Sequence, residues 1–212
     1  MIASRWHQAV AIIAIAALGL QVWLVITGSA VLVEGRQPGL WLRLGRCFSY
    51  FTIQSNLLIA AASVILARNP TLDGRGLRVL RTAGLAGIAV TGLVHFFLLR
   101  PLLDLHGWSW VTDKLLHLVV PILAVGVWLV FGPRPRTDLR AIGWAFLWPL
   151  VWLVWTLAMG AATGWFPYPF LDFDAKGWGS VIAVSCGITA LFAALFALAA
   201  FVDRRLRPAP SY

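Results

Sequence analysis

Six apolar stretches divide this chain, and each is long enough to cross a bilayer. They run over about residues 9–32, 48–67, 79–99, 114–131, 140–160 and 178–201; a spanning helix needs about 20 residues. Lipid offers no water to backbone N–H and C=O groups, so each stretch has to satisfy its own as an α-helix. The breaks carry turn formers: Gly35 and Pro38, Asn69-Pro70 with Asp73-Gly74, Pro101 with His106-Gly107, Pro133 with Pro135, and Pro167 with Pro169. The expected fold is therefore an all-α membrane protein, a six-transmembrane-helix bundle, as a single integral membrane domain over 1–212. The first stretch exceeds the core of a signal peptide, about 7–15 residues, and reads as a retained helix.

Composition agrees. The chain is 60% hydrophobic and 12% charged, where a soluble domain carries about 45–50% apolar and about 25% charged residues. The net charge of +9 does not point to nucleic acid, because the basic residues cluster at the ends of apolar segments instead of forming a groove-tracking patch. Arg5, Arg68, Arg75, Arg78, Arg81, Arg134, Arg136, Arg140, Arg204, Arg205 and Arg207 fall on one side of a six-helix bundle. Arg36, Arg43, Arg46, Arg100, Lys114 and Lys176 fall on the other. The larger set marks the cytoplasmic side, so both termini are expected in the cytoplasm of an inner-membrane protein. Cys47 and Cys186 read as free thiols, and no spacing of Cys, His or carboxylates suggests a metal, so no cofactor is expected.

With that orientation, three polar groups fall at one depth near the outer leaflet. Thr52 lies about a turn into the second span, His117 about a turn into the fourth, and His95 shortly before the outer end of the third. Polar groups within lipid depth face the bundle interior or a wet cavity. Ser55 and Asn56 share the helical face of Thr52, and Asp113 stands one turn before His117. Ala83, Gly87, Thr91 and His95 form a stripe of mostly small residues that would let helices approach closely and carry His95 inward. Taken singly, the hydroxyls and the amide read as packing groups, and Asp113 as a helix cap. Together they permit a nucleophile and its base. On the fifth span, Trp144, Trp148, Trp152 and Trp155 form an indole stripe, readable as bundle core, lipid contact or the wall of an acyl-chain site. Trp165 and Tyr168 lie in the outer loop that follows, readable as a lid or as an interfacial anchor.

Three motifs carry a family resemblance: Tyr50-Phe51-Thr52 at a helix start, His117-Leu118-Val119-Val120-Pro121 opening a later helix, and Trp165-Phe166-Pro167-Tyr168-Pro169-Phe170-Leu171 in a loop. In these the chain resembles the family of the androgen-induced protein and the androgen-dependent TFPI-regulating protein, together with its bacterial six-helix relatives. The resemblance implies a membrane hydrolase with a threonine nucleophile and a histidine, acting on fatty acid esters of hydroxy fatty acids. By position, Thr52 would be the nucleophile and His117 its base, with Asn56 and Ser55 as candidates for binding the oxyanion, Trp165 as another, and Asp113 as a candidate for orienting the imidazole. The stretch Ile53-Gln54-Ser55-Asn56 follows the animal members only loosely. Two other readings stay open: an electron-transfer protein with haem b between His95 and His117, and a non-catalytic lipid-binding protein.

Overall fold

The computed structural model describes residues 2–28 and 38–206. The end of the first expected span (29–32), the loop glycine Gly35 and the chain after Leu206 lie outside the described residues. Among the described residues the secondary structure is entirely helical, and six helical segments are long and apolar enough to span a membrane: Ile2–Thr27, Phe51–Arg68, Arg75–Leu102, Gly107–Phe131, Leu139–Thr163 and Trp178–Arg205.

The first span is α1 (Ile2–Thr27). A short helix, α2 (Leu40–Ser49), then leads into α3 (Phe51–Arg68), with Tyr50 extended between them. From its sequence this stretch reads as loop up to residue 48. The structure instead makes it a short amphipathic helix, with Trp41, Leu42 and Phe48 exposed and Cys47 buried. The third span is α4 (Arg75–Val94), followed by a π-helical turn at His95–Leu99 and a tight turn through Leu102. The fourth joins α5 (Gly107–Lys114) to α6 (Val120–Phe131) through a second π-helical turn, Leu115–Val119. It begins several residues earlier than its apolar run, because Trp108 to Asp113 extend the helix beyond the strictly apolar stretch.

The fifth span is α7 (Leu139–Thr163), started by the Asp138 carboxylate accepting from the Ala141 N–H at 2.8 Å and stopped by Gly164 at φ +67°, a conformation glycine adopts without strain. The helix runs on through Pro149, which offers no N–H to the Ala145 carbonyl one turn back. A single turn, α8 (Phe173–Lys176), precedes the last span, α9 (Trp178–Arg205).

Helix α4 lies at the centre, in contact with α3, α6, α7 and α9. Its small residues permit this: a Cβ on Gly84 would stand 3.3 Å from Ile59, and one on Gly87 would stand 2.7 Å from the Trp148 ring. Ala83, Gly87, Thr91 and His95 are all buried, as the stripe predicts. One apolar core joins α1, α3 and α6 through Val10, Ala14, Ile59 and Val120; another joins α4, α7 and α9 through Ala86, Ala145, Phe192 and Phe196. Large exposed apolar side chains cover the flanks, among them Ile12, Val130, Val154 and Phe201, as a lipid-facing surface requires.

One end of the bundle carries an arginine network. Arg78 pairs with Asp73 at 2.6 Å and Asp138 at 3.0 Å, and the buried Asp203 accepts from the Arg136 and Thr137 N–H groups at 2.6 and 2.8 Å. Ser4 donates to the Ala67 carbonyl, placing the start of α1 and the end of α3 at this same end. Thr52, His95 and His117 lie toward the other.

Candidate active site

Thr52 is the second residue of α3, so its hydroxyl stands at a helix N-terminus where N–H groups lack intrahelical partners. Both histidines sit on the π-helical turns of neighbouring spans. A π turn inserts extra backbone and re-aims side chains, and such turns recur at functional sites. Here the two turns bring His95 and His117 face to face, with ring centroids 3.9 Å apart and planes 16° from parallel.

The geometry around His117 is directional. Its Nε2 lies 3.1 Å from Thr52 Oγ1. Its Nδ1 lies 3.1 Å from Asp113 Oδ1 and 3.0 Å from the Asp113 carbonyl oxygen. Both of these partners accept, so the proton of the neutral ring belongs on Nδ1, and the Nε2 lone pair faces the threonine O–H. The same carboxylate takes His95 Nε2 at 3.4 Å and Lys114 Nζ at 2.9 Å. Asp113, His95 and Thr52 are each more than nine-tenths buried.

On its other side Thr52 meets Tyr168. The Thr52 N–H donates to the Tyr168 hydroxyl oxygen at 3.3 Å, and the two hydroxyl oxygens are 3.4 Å apart. Tyr168 is buried, and burial pushes its phenol above the ordinary range, so it keeps its proton as a donor. It sits edge-on to Tyr50, whose ring also meets Trp165 edge-on. Burial likewise raises the Tyr50 phenol and pushes the Cys47 thiol up to about 11, which keeps Cys47 a thiol, not a nucleophile.

Two chambers meet at this point. The first spans about 680 Å³, counted together with the space open to its surroundings, and its lining includes Phe51, Thr52, Val94, Trp152, Tyr168 and Phe192. The second spans about 1110 Å³ on the same measure and is mixed in character, with Arg43, Arg46, His95, Asp113, His117 and Trp165 on its walls. Thr52, Leu99 and Tyr168 belong to both.

The structure thus brings together Thr52, His117, Asp113, His95 and Tyr168. Asn56 and Ser55 are adjacent but differently engaged: Asn56 donates to the Thr52 carbonyl at 2.8 Å and to the Leu116 carbonyl at 3.3 Å, and Ser55 donates to the Thr52 carbonyl at 3.0 Å. Their donors hold the backbone beneath the hydroxyl and are not available to an oxyanion. Of the indole stripe, only Trp152 lines the Thr52 chamber. All four indoles line an outer groove with Gln54, so Trp152 stands between the groove and the chamber, and Trp144 and Trp155 are largely exposed. Trp148 stacks on Phe51 at 4.5 Å and donates to Gln54 at 3.0 Å, so it serves the packing of α7 on α3. The Tyr168 hydroxyl was legible only as part of a loop motif, because the pairing spans 116 residues.

His95, Asp113 and His117 place one donor atom each within 4.8 Å of one another, a set that could hold a metal ion. Two features favour a hydrogen-bonded relay instead: the Lys114 ammonium already sits on the carboxylate, and stacked imidazoles do not aim their in-plane lone pairs at one point. The stack also leaves no gap for a porphyrin between the rings. Comparison with protein-family models, with curated proteins and with solved structures yields no match.

Proposed function

We propose that this chain is an intramembrane lipid-ester hydrolase with Thr52 as nucleophile and His117 as base. The observation that carries the reading is the line from Thr52 Oγ1 through the His117 imidazole to Asp113, with contacts of 3.1 Å on either side of the ring. A hydroxyl becomes a competent nucleophile when a base takes its proton and a third group holds that base.

His117 Nε2 takes the Thr52 proton as Oγ1 attacks the ester carbonyl. The tetrahedral intermediate collapses, the alkoxide leaves with the proton from Nε2, and an acyl-threonine remains. Water then gives a proton to Nε2 and attacks the acyl carbon; Thr52 Oγ1 leaves, recovers the proton, and a fatty acid is released. The oxyanion needs donors placed in advance. The Tyr168 O–H is within reach, and the Thr52 N–H, at the positive end of α3 and given to the Tyr168 oxygen at 3.3 Å in the resting site, becomes the second donor when it transfers from the phenol to the oxyanion. This pair replaces Asn56, Ser55 and Trp165 as the preferred oxyanion donors. Asp113 orients the imidazole and offsets the charge it acquires. Every proton transfer runs through these side chains and water.

The substrate proposed is a fatty acid ester of a hydroxy fatty acid or a related acyl ester, in keeping with the family resemblance. Arg43 and Arg46 on the walls of the second chamber suit an ester that carries a carboxylate. The positive-inside pattern supports an inner-membrane protein with both termini cytoplasmic and the site near the outer leaflet.

Labelling by a fluorophosphonate probe tests the reading. Wild-type protein should be labelled, and Thr52→Ala and His117→Ala should not, with all three monodisperse by size exclusion. Labelling that persists in Thr52→Ala would remove Thr52 as the nucleophile.

A further inference from the structure

We infer that the acyl chain reaches Thr52 sideways from the bilayer, through a gap between α7 and α9, and lies in the first chamber, while the alcohol portion and water use the second. This rests on the hydrolase reading above.

The gap follows from the packing. Helices α7 and α9 both lean on α4 and touch each other mainly where Phe146 meets Phe192 and Phe196 edge-on, with ring centroids 6.4 and 5.7 Å apart. The chamber fills the wedge between them. Phe146 and Leu153 of α7 form one wall, Ile188 and Phe192 of α9 the opposite one, and Val90 and Val94 of α4 the floor. Outside the wedge both helices are apolar and exposed, with Val151 and Val154 on one flank and Ile182 on the other. An acyl chain sliding in from lipid therefore exchanges one apolar surround for another and meets no desolvation barrier. Among the described residues no Asp, Glu, Lys, Arg or His lines this chamber, whereas Arg43, Arg46, His95, Asp113 and His117 line the second.

The two chambers differ in chemistry and meet only where the reaction is proposed. Thr52 and Tyr168 stand at the junction. An ester carbonyl seated at Thr52 has two substituents, one on each side of the scissile bond, and the two chambers offer one home for each. The base His117 lines only the second chamber, so the leaving alkoxide, which must recover its proton from His117, belongs there. That assigns the acyl carbon chain to the first.

The test uses the full chain in lipid nanodiscs with p-nitrophenyl butyrate, octanoate, laurate and palmitate. Ile188→Trp and Leu153→Trp each fill the chamber from a different helix. The ratio of kcat/KM for palmitate to that for butyrate should fall by about tenfold or more, the scale on which a filled apolar pocket discriminates chain length. Ile12→Trp, on the lipid-facing flank of α1, should leave the ratio at the wild-type value. An unchanged ratio in both chamber variants would overturn the assignment. Binding is read separately from chemistry by photocrosslinking palmitate with a terminal diazirine to Thr52→Ala protein, followed by peptide mass spectrometry. Adducts on the chamber-facing residues of α7 and α9 support the assignment; adducts confined to the second chamber or the outer flanks overturn it. If the protein cleaves no ester and takes no fluorophosphonate, the hydrolase reading fails, and the crosslink sites still decide where the chain lies.

Discussion

Replacing Asp113 by asparagine removes a charge from the proposed site with almost no change in shape. The lower bound on its effect comes from hydrogen bonding. Asp113 Oδ1 lies 3.1 Å from His117 Nδ1 and 3.4 Å from His95 Nε2. A bond to an ionised acceptor is worth about 1 kcal/mol more than one to a neutral amide. The upper bound comes from the charge that His117 acquires in the transition state. A carboxylate about 4 Å from an imidazolium contributes about 4 kcal/mol at an effective dielectric constant of about 20. Lys114, 2.9 Å from the other carboxylate oxygen, cancels part of that field. The expected loss is then about 2–3 kcal/mol, or about 30- to 150-fold in rate. It should stay well short of the roughly 10⁴-fold loss that follows when the histidine adopts the wrong tautomer. The reason is that the Asp113 main-chain carbonyl, 3.0 Å from Nδ1, survives the substitution and still holds the proton there. The assay is the second-order rate constant of fluorophosphonate labelling, with thermal melting as a control for folding. A rate within about threefold of wild type would show that the carboxylate does not support the base, contrary to the electrostatic argument. A rate as low as that of His117→Ala would show that the main-chain carbonyl does not hold the tautomer.

Other perturbations probe different parts of the structure. Tyr168→Phe removes one proposed oxyanion donor and should lower kcat by about 10²-fold or more with little change in KM; a KM effect alone would make Tyr168 a binding residue. Gly87→Ala forces a methyl against the Trp148 ring at 2.7 Å and should destabilise the bundle by about 1–3 kcal/mol. By contrast, Gly126→Ala meets nothing within 4 Å and should stabilise by up to about 1 kcal/mol through helix propensity; thermal melting of the two variants in one detergent separates them. At the arginine-rich end, the hydrogen bond from Arg78 holds the Asp73 carboxyl down at about 2, against 3.8 for the free group. A lowered folded-state value means that its stabilisation is complete above about 4 and is lost as the pH falls through about 2. The melting difference between wild type and Asp73→Asn should therefore be constant at neutral pH and shrink on acidification; a difference that grew on acidification would reverse the sign.

The sequence by itself determined the six spans, because a lipid environment leaves an apolar run of that length no alternative to helix. It also determined that Thr52, His95 and His117 share a layer, since depth follows from counting residues at a fixed rise. The partner of Asp113 was within reach as well, because positions four apart share a helical face. What the sequence could not supply was rotation and reach. Whether a side chain at the right depth faces its partner depends on how helices far apart in the chain pack, and the two π-helical turns that aim His95 and His117 leave no periodic signal. Asn56 and Ser55 show the same limit: they occupy the expected face, yet their donors close on the backbone carbonyl of Thr52. Trp152 and Trp155 belong to one stripe on one helix, but only the packing of α7 against α3 and α4 decides that Trp152 turns inward and Trp155 faces lipid. The approach of Tyr168 to Thr52, and the two chambers that meet there, exist only in the folded bundle, because both depend on contacts between segments more than a hundred residues apart.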